Sequence, residues 1–193
     1  EGQIPHTSTA IGYISAFETS LVVDVVVGEA ADSYADVTRW TRRLVFFKPH
    51  AILVHDILDA PEPATFDWLL HGLGGPFTIE DRDVHWQGDA GCAQVRFLQP
   101  ETLAISQTDA MDPPPGDYAQ LKWKEWHLAA RTTEKAQHRE FLVLITLQGA
   151  EVTEQHRPGR RTRVRRELPD ATATVDQSPD RIRIIKPGFK KAF

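Results

Sequence analysis

Residues 37–58 read "VTRWTRRLVFFKPHAILVHDIL", two runs of β-branched and aromatic residues around a Lys-Pro-His step. With period two, Trp40, Leu44 and Phe46 share one side of the first run, and Arg39, Thr41 and Arg43 the other. The proline fixes φ and removes a ladder donor, so the stretch predicts two strands around a tight reversal at Lys48–His50. The same grammar fills the chain. Strand-like runs occupy 10–17, 20–28, 37–48, 51–58 and 64–71, and in the second Leu21, Val23, Val25 and Val27 share a face. "DAPEP" separates the last two by turn chemistry. "FTIE", "DVHWQ", "CAQVRFL" and "TLAISQ" follow, then the longer 121–130 and 139–148, then "TRVRREL", "ATATV" and "RIRIIK". No window carries a helical period, and "EAADSYADVTRW" has room for one turn. Short strands at regular spacing predict an all-β, multi-stranded antiparallel β-sandwich with little helix. We expect one domain over 1–193, with the proline-rich 110–118 as a surface loop.

Composition excludes some classes. The net charge of −5 argues against general nucleic-acid binding, which needs a basic surface. The longest apolar run, "LVVDVVV", is interrupted by Asp24 and falls far short of the roughly 20 residues that span a bilayer, so no membrane span is expected. One cysteine, Cys92, forms no intrachain disulfide, which fits a cytoplasmic or a periplasmic home. The chain opens at Glu1 without Met or a charged-then-apolar leader, and we expect a processed product or a fragment.

Histidine is the main candidate for chemistry, with eight residues and no zinc-ribbon or helical His-Glu spacing. In "ATFDWLLHG" (64–72), Phe66, Trp68 and Leu70 share one face, and Asp67, Leu69 and His71 the other. Asp67 and His71 stand about 13 Å apart along such a strand, too far to bond. Asp67 is expected to pair with a cross-strand arginine such as Arg39, Arg42 or Arg43. Spacing alone favours a structural His71 and, more strongly, a structural His55; His50 sits in a turn and should be solvated. Cys92 reads as an inert core thiol. "RPGRRTRVRR" (157–166) holds six arginines, either a solvated edge strand or a polyanion-binding edge. Trp40, Trp68, Trp86, Trp123 and Trp126 could stack on sugars or fill the space between sheets. No nucleophile elbow, P-loop or dinucleotide fingerprint is present.

The order of Gly28 to Tyr34, Arg42 or Arg43, Lys48–Pro49, Asp56 and Trp68 to His71 resembles the β-sheet domain of heparinase II/III-like polysaccharide lyases, over residues 12 to about 148. The resemblance implies a two-part enzyme. An N-terminal α/α toroid would supply a tyrosine acid–base and a neutralising Asn or His, and the C-terminal β-sandwich would wall the cleft. Members cleave uronic-acid-containing polysaccharide by β-elimination, which needs a poised base and stabilisation of enolate-like charge. Several hold a structural zinc through His, Asp and a later His; His71 resembles the last ligand. The family's upstream His-x-Asp stretch is absent, so the ligand set is incomplete.

The resulting expectation is the C-terminal β-domain of a bacterial lyase, periplasmic or cytoplasmic. It carries no catalytic residue of its own, is inactive alone, and has as partners the missing helical toroid and an acidic polysaccharide. The alternatives are a non-catalytic carbohydrate-binding module and a structural or oligomerising β-sandwich.

Overall fold

Strands dominate because nearly every segment alternates or runs apolar over five to fourteen residues between turn formers. The computed structural model describes residues 11–88, 91–110 and 125–147 in full, and the backbone of five strands between 153 and 192. In chain order the strands are β1 (Tyr13–Thr19), β2 (Val23–Glu29), β3 (Arg39–Phe47), β4 (Ala51–Ala64), β5 (Asp67–Leu73), β6 (Thr78–Glu80), β7 (Asp83–Gly88) and β8 (Gly91–Gln99). They continue with β9 (Leu103–Thr108), β10 (Glu125–Thr132), β11 (Ala136–Leu147), β12 (Thr153–Gln155), β13 (Thr162–Leu168), β14 (Ala171–Ser178), β15 (Arg181–Lys186) and β16 (Phe189–Ala192). A single 3₁₀ turn, Ala31–Ser33, is the helical element among the described residues, where one turn was expected. The Arg-rich 157–166 side chains, Trp123 and most of the 110–118 loop lie outside the described residues.

The strands form three antiparallel sheets, ordered β1-β2-β3-β4-β11-β8-β7-β6, β5-β10-β9 and β12-β13-β14-β15-β16. The first two make the sandwich. Phe66, Trp68, Leu128 and Ala130 of the small sheet's side pack on Val54, Val84, Val95, Phe97, Phe141 and Val143 of the large one. Trp68 meets Phe97 edge to face, centroids 5.3 Å apart, a geometry the ring quadrupoles favour. Burial of Leu128 alone contributes about 1.5–3 kcal/mol. The large sheet is covered on its other face too, where Val25, Val45, Phe47, Leu53, Leu142 and Leu144 cluster. That explains the unbroken "FLVLI" of β11. Flanked by β4 and β8 and buried on both faces, it has no polar side to show.

Three local expectations change. Leu21 precedes β2 in a turn and is 95% exposed, so it does not join the buried Val23, Val25 and Val27. β4 runs on through Pro61 and Pro63 where a turn was expected. Its pairing with β3 ends at Asp59, so beyond that point the edge facing β3 has no ladder and a missing N–H costs little. In β3 the side that carries Thr41 and Arg43 is the more deeply buried one: both are buried with Val45 and Phe47, while Trp40, Leu44 and Phe46 on the other side are half-buried.

Arg43 is buried because polar partners share its face. His55, fully buried, lies opposite it, with Nδ1 3.5 Å from an Arg43 nitrogen. On the other side of the ring Nε2 lies 2.9 Å from Glu140 Oε2. His138 lies 3.4 Å from Glu140 Oε1 through Nε2 and 2.6 Å from Asp59 Oδ1 through Nδ1. Burial pushes the Glu140 carboxyl up, but the hydrogen bonds and charges of His55 and His138 outweigh it and hold it below the usual range. The hydrogen bond to Asp59 raises the His138 imidazole. His55 is thus the structural histidine its sequence position implied.

Candidate metal centre on the three-stranded sheet

The small sheet buries one face and shows the other. In β5, Trp68 and Gly72 point inward, while Asp67, Leu69, His71 and Leu73 are exposed. The alternation in the sequence therefore places Asp67 and His71 as expected. β10 pairs with β5 so that His127 stands opposite His71 and Arg131 opposite Asp67. Asp67 consequently takes a two-pronged ion pair with Arg131, at 2.7 and 2.6 Å. This corrects the expected pairing with β3: Arg42 binds Asp56 (2.6 and 2.7 Å), Arg43 faces His55, and Arg39 lies 3.9 Å from Asp59, all on the other sheet.

His71 has two neighbours that spacing within its own strand could not supply. Its Nδ1 lies 2.8 Å from Glu125 Oε1, and its ring stacks on His127 with centroids 4.4 Å apart and planes 17° from parallel. The ligand atoms of His71, Glu125 and His127 all lie within 4.8 Å of one another. His71 is about half exposed and Glu125 a quarter, so an ion can enter from solvent. His127 Nε2 is buried with no hydrogen-bond partner. An orphaned imidazole nitrogen beside a second histidine and a carboxylate is a donor set that suits zinc. Ligand atoms around a tetrahedral ion with bonds of about 2.0–2.1 Å stand closer together than this, so side-chain rotations would bring the three onto one ion and leave its fourth position to water. The residues fit the group.

The signal for Glu125 and His127 was present in "LKWKEWHLAA", where alternation puts both on one face two positions apart. What was missing is the β5–β10 register.

The other singled-out residues have structural places. Trp68 is buried, and Trp86 and Trp126 pack at the edge of the same cluster, so these three fill the space between sheets. Trp40 meets Tyr34 edge to face at 4.9 Å and underlies Arg42. Lys48 reaches Asp24 at 2.8 Å. His50 is half-buried, its backbone bonded to Phe47 and Leu147. Cys92 is exposed, a correction: it precedes the buried part of β8 on the side of Gln94 and Arg96, opposite Val95 and Phe97.

No protein-family model matches the sequence, and no curated protein does. Solved structures match by shape. A crystal structure of heparinase III superposes with TM-score 0.60 and 10% identity over 94% of this chain and 27% of that one. Heparan sulfate lyase HepC from Pedobacter heparinus gives 0.57 and 12% over 93% and 28%. A further heparinase III gene product gives 0.61 and 11% over 94% and 27%. The chain spans about a quarter of the length of these structures. At such identities the likeness is one of fold: this chain is an all-β sandwich similar to part of the heparinase III and heparan sulfate lyase fold.

Proposed function

We propose that residues 1–193 form the C-terminal β-domain of a bacterial polysaccharide lyase that cleaves a uronic-acid-containing polysaccharide by β-elimination. The observation that carries this reading is the superposition of 94% of the chain on about a quarter of heparinase III. An α/α toroid in another part of the same protein would supply the acid–base tyrosine and the group that neutralises the uronate. The β-domain walls the cleft, holds no catalytic residue, and is inactive alone.

In this reading His71, Glu125 and His127 hold a zinc ion. The ion supplies a divalent cross-link between β5 and β10 and no chemistry on the substrate. The two histidines face each other across one rung of the ladder, and Glu125 stands two residues before His127 on the same face. These groups lie on the outer face of the small sheet, so the core needs no ion in order to pack.

The test is the ultraviolet absorbance of unsaturated uronate released from heparan sulfate and polyuronates. The full-length protein should generate it and the 193-residue chain should not. Product formed by the chain alone, or none by the full-length protein on any uronate polymer, overturns the reading.

A further inference from the structure

A second feature lies on the large sheet, away from the histidine cluster. One cross-strand row can be followed through seven strands by register: Thr78, His85, Gln94, Thr146, Ala51, Phe47 and Val23. Its second half is apolar and buried, with Ala51 and Phe47 fully covered. Its first half is polar and lines a groove of about 390 Å³, which Gln87 and Cys92 of the next row extend. That volume is within the usual range of small-molecule sites.

The groove's chemistry is specific. Among the described residues the side chains of Thr78, His85 and Thr146 make no hydrogen bond, and Cys92 is a free thiol. Gln94 gives its amide hydrogens to Asp83, and Gln87 to the carbonyls of Gly88 and Gly91. Each amide oxygen is left to accept. Hydroxyl, imidazole, amide-oxygen and hydroxyl groups thus stand one per strand across four strands, spaced by the roughly 4.8 Å that separates neighbouring strands. That step is close to the rise per sugar in an extended 1,4-linked chain. Among the described residues no carboxylate lines the groove, and the neighbouring Asp83 is matched by Arg96 at 2.6 Å. Among the described residues that line it there is also no arginine or lysine to meet a polyanion.

We propose that this groove binds an uncharged saccharide chain laid across β6, β7, β8 and β11, hydrogen-bonded by Thr78, His85, Gln94 and Thr146. The site is separate from the outer face of the small sheet and does not rest on the lyase reading. In a polysaccharide-handling protein it would hold a neutral stretch of polymer apart from the cleft.

Cys92 provides the readout. Cellohexaose, maltohexaose, xylohexaose and chitohexaose serve as neutral probes, and a heparan sulfate hexasaccharide as the charged comparator. At a concentration about ten times its Kd, a neutral probe should slow iodoacetamide alkylation of Cys92 about tenfold, since occupancy and protection follow mass action. The side-chain amide resonances of Gln87 and Gln94 should shift in the same titration. His85→Ala, at an exposed position, and the near-isosteric Thr146→Val should each weaken protection, with circular dichroism confirming the fold. Failure of all four neutral probes to protect, or protection by the heparan sulfate probe alone, overturns the proposal. Undiminished protection in His85→Ala also overturns it.

Discussion

His71 and His127, 56 residues apart in sequence, stack ring on ring across the β5–β10 ladder with centroids 4.4 Å apart. Their pairing is a product of register. A shift of one residue would turn His127 into the core and bring Trp126 or Leu128 outward, so the packing of those two against the large sheet is what holds the histidines face to face.

The polar network on the opposite sheet should give stability a dome-shaped pH dependence. Glu140 has its folded-state pKa lowered from 4.5, so its contribution is present above that value and is lost as pH falls through the folded pKa. His138 has its folded-state pKa raised from 6.5, so its contribution is complete below that value and is lost as pH rises through the folded pKa. The two contributions overlap between 4.5 and 6.5. Thermal denaturation should show a higher Tm near pH 6 than near pH 8, and His138→Ala should shrink that difference. An unchanged difference in the variant would assign the effect elsewhere.

Gly88 should resist substitution. A Cβ there would collide with the six-membered ring of Trp86, and one at Gly72 would lie 2.8 Å from Trp86 Nε1 and from Phe77 Cζ. Gly88→Ala is expected to cost about 1–3 kcal/mol, the usual penalty of overpacking. Urea denaturation should find most of that cost gone in a Trp86→Leu background, where the ring no longer occupies the space.

Two aspartates with similar partners should behave differently. Asp56 is 1% exposed and accepts two bonds from Arg42, so Asp56→Ala strands a guanidinium that stacks on Trp40. Its loss should cost about 1.5–3 kcal/mol, as for hydrogen bonds to charged groups. Asp67 makes the same two-pronged contact with Arg131 on the open face of the small sheet, where water screens it. Asp67→Ala should leave the denaturation midpoint nearly unmoved. Equal losses at both positions would contradict the burial argument.

Legibility in the sequence tracked how local each determinant is. Alternation placed Phe66, Trp68 and Leu70 inward and Asp67, Leu69 and His71 outward, and the Lys48–His50 reversal follows from a proline between two strands. Asp67's partner was not legible, because Arg131 reaches it through a register set 64 residues away. Glu125 and His127 were missed as companions of His71 for the same reason. Cys92 looked buried because "CAQVRFL" reads as one apolar run, yet only its Val95, Phe97 and Leu98 meet the core. The prolines of β4 misled in the other direction, since a strand edge without a ladder tolerates them.

Zinc titration of the metal-free chain, with X-ray absorption at the zinc edge, tests most directly whether His71, Glu125 and His127 act as one metal centre. The expected result is one zinc per chain, with two imidazole nitrogens and a carboxylate oxygen at about 2.0–2.1 Å. Free zinc at about a hundred times Kd should add about 2.7 kcal/mol of stability, reversed by chelation and absent in His127→Ala. A chain that takes up no zinc, or a His127→Ala variant that binds it as tightly as the parent, would contradict that assignment.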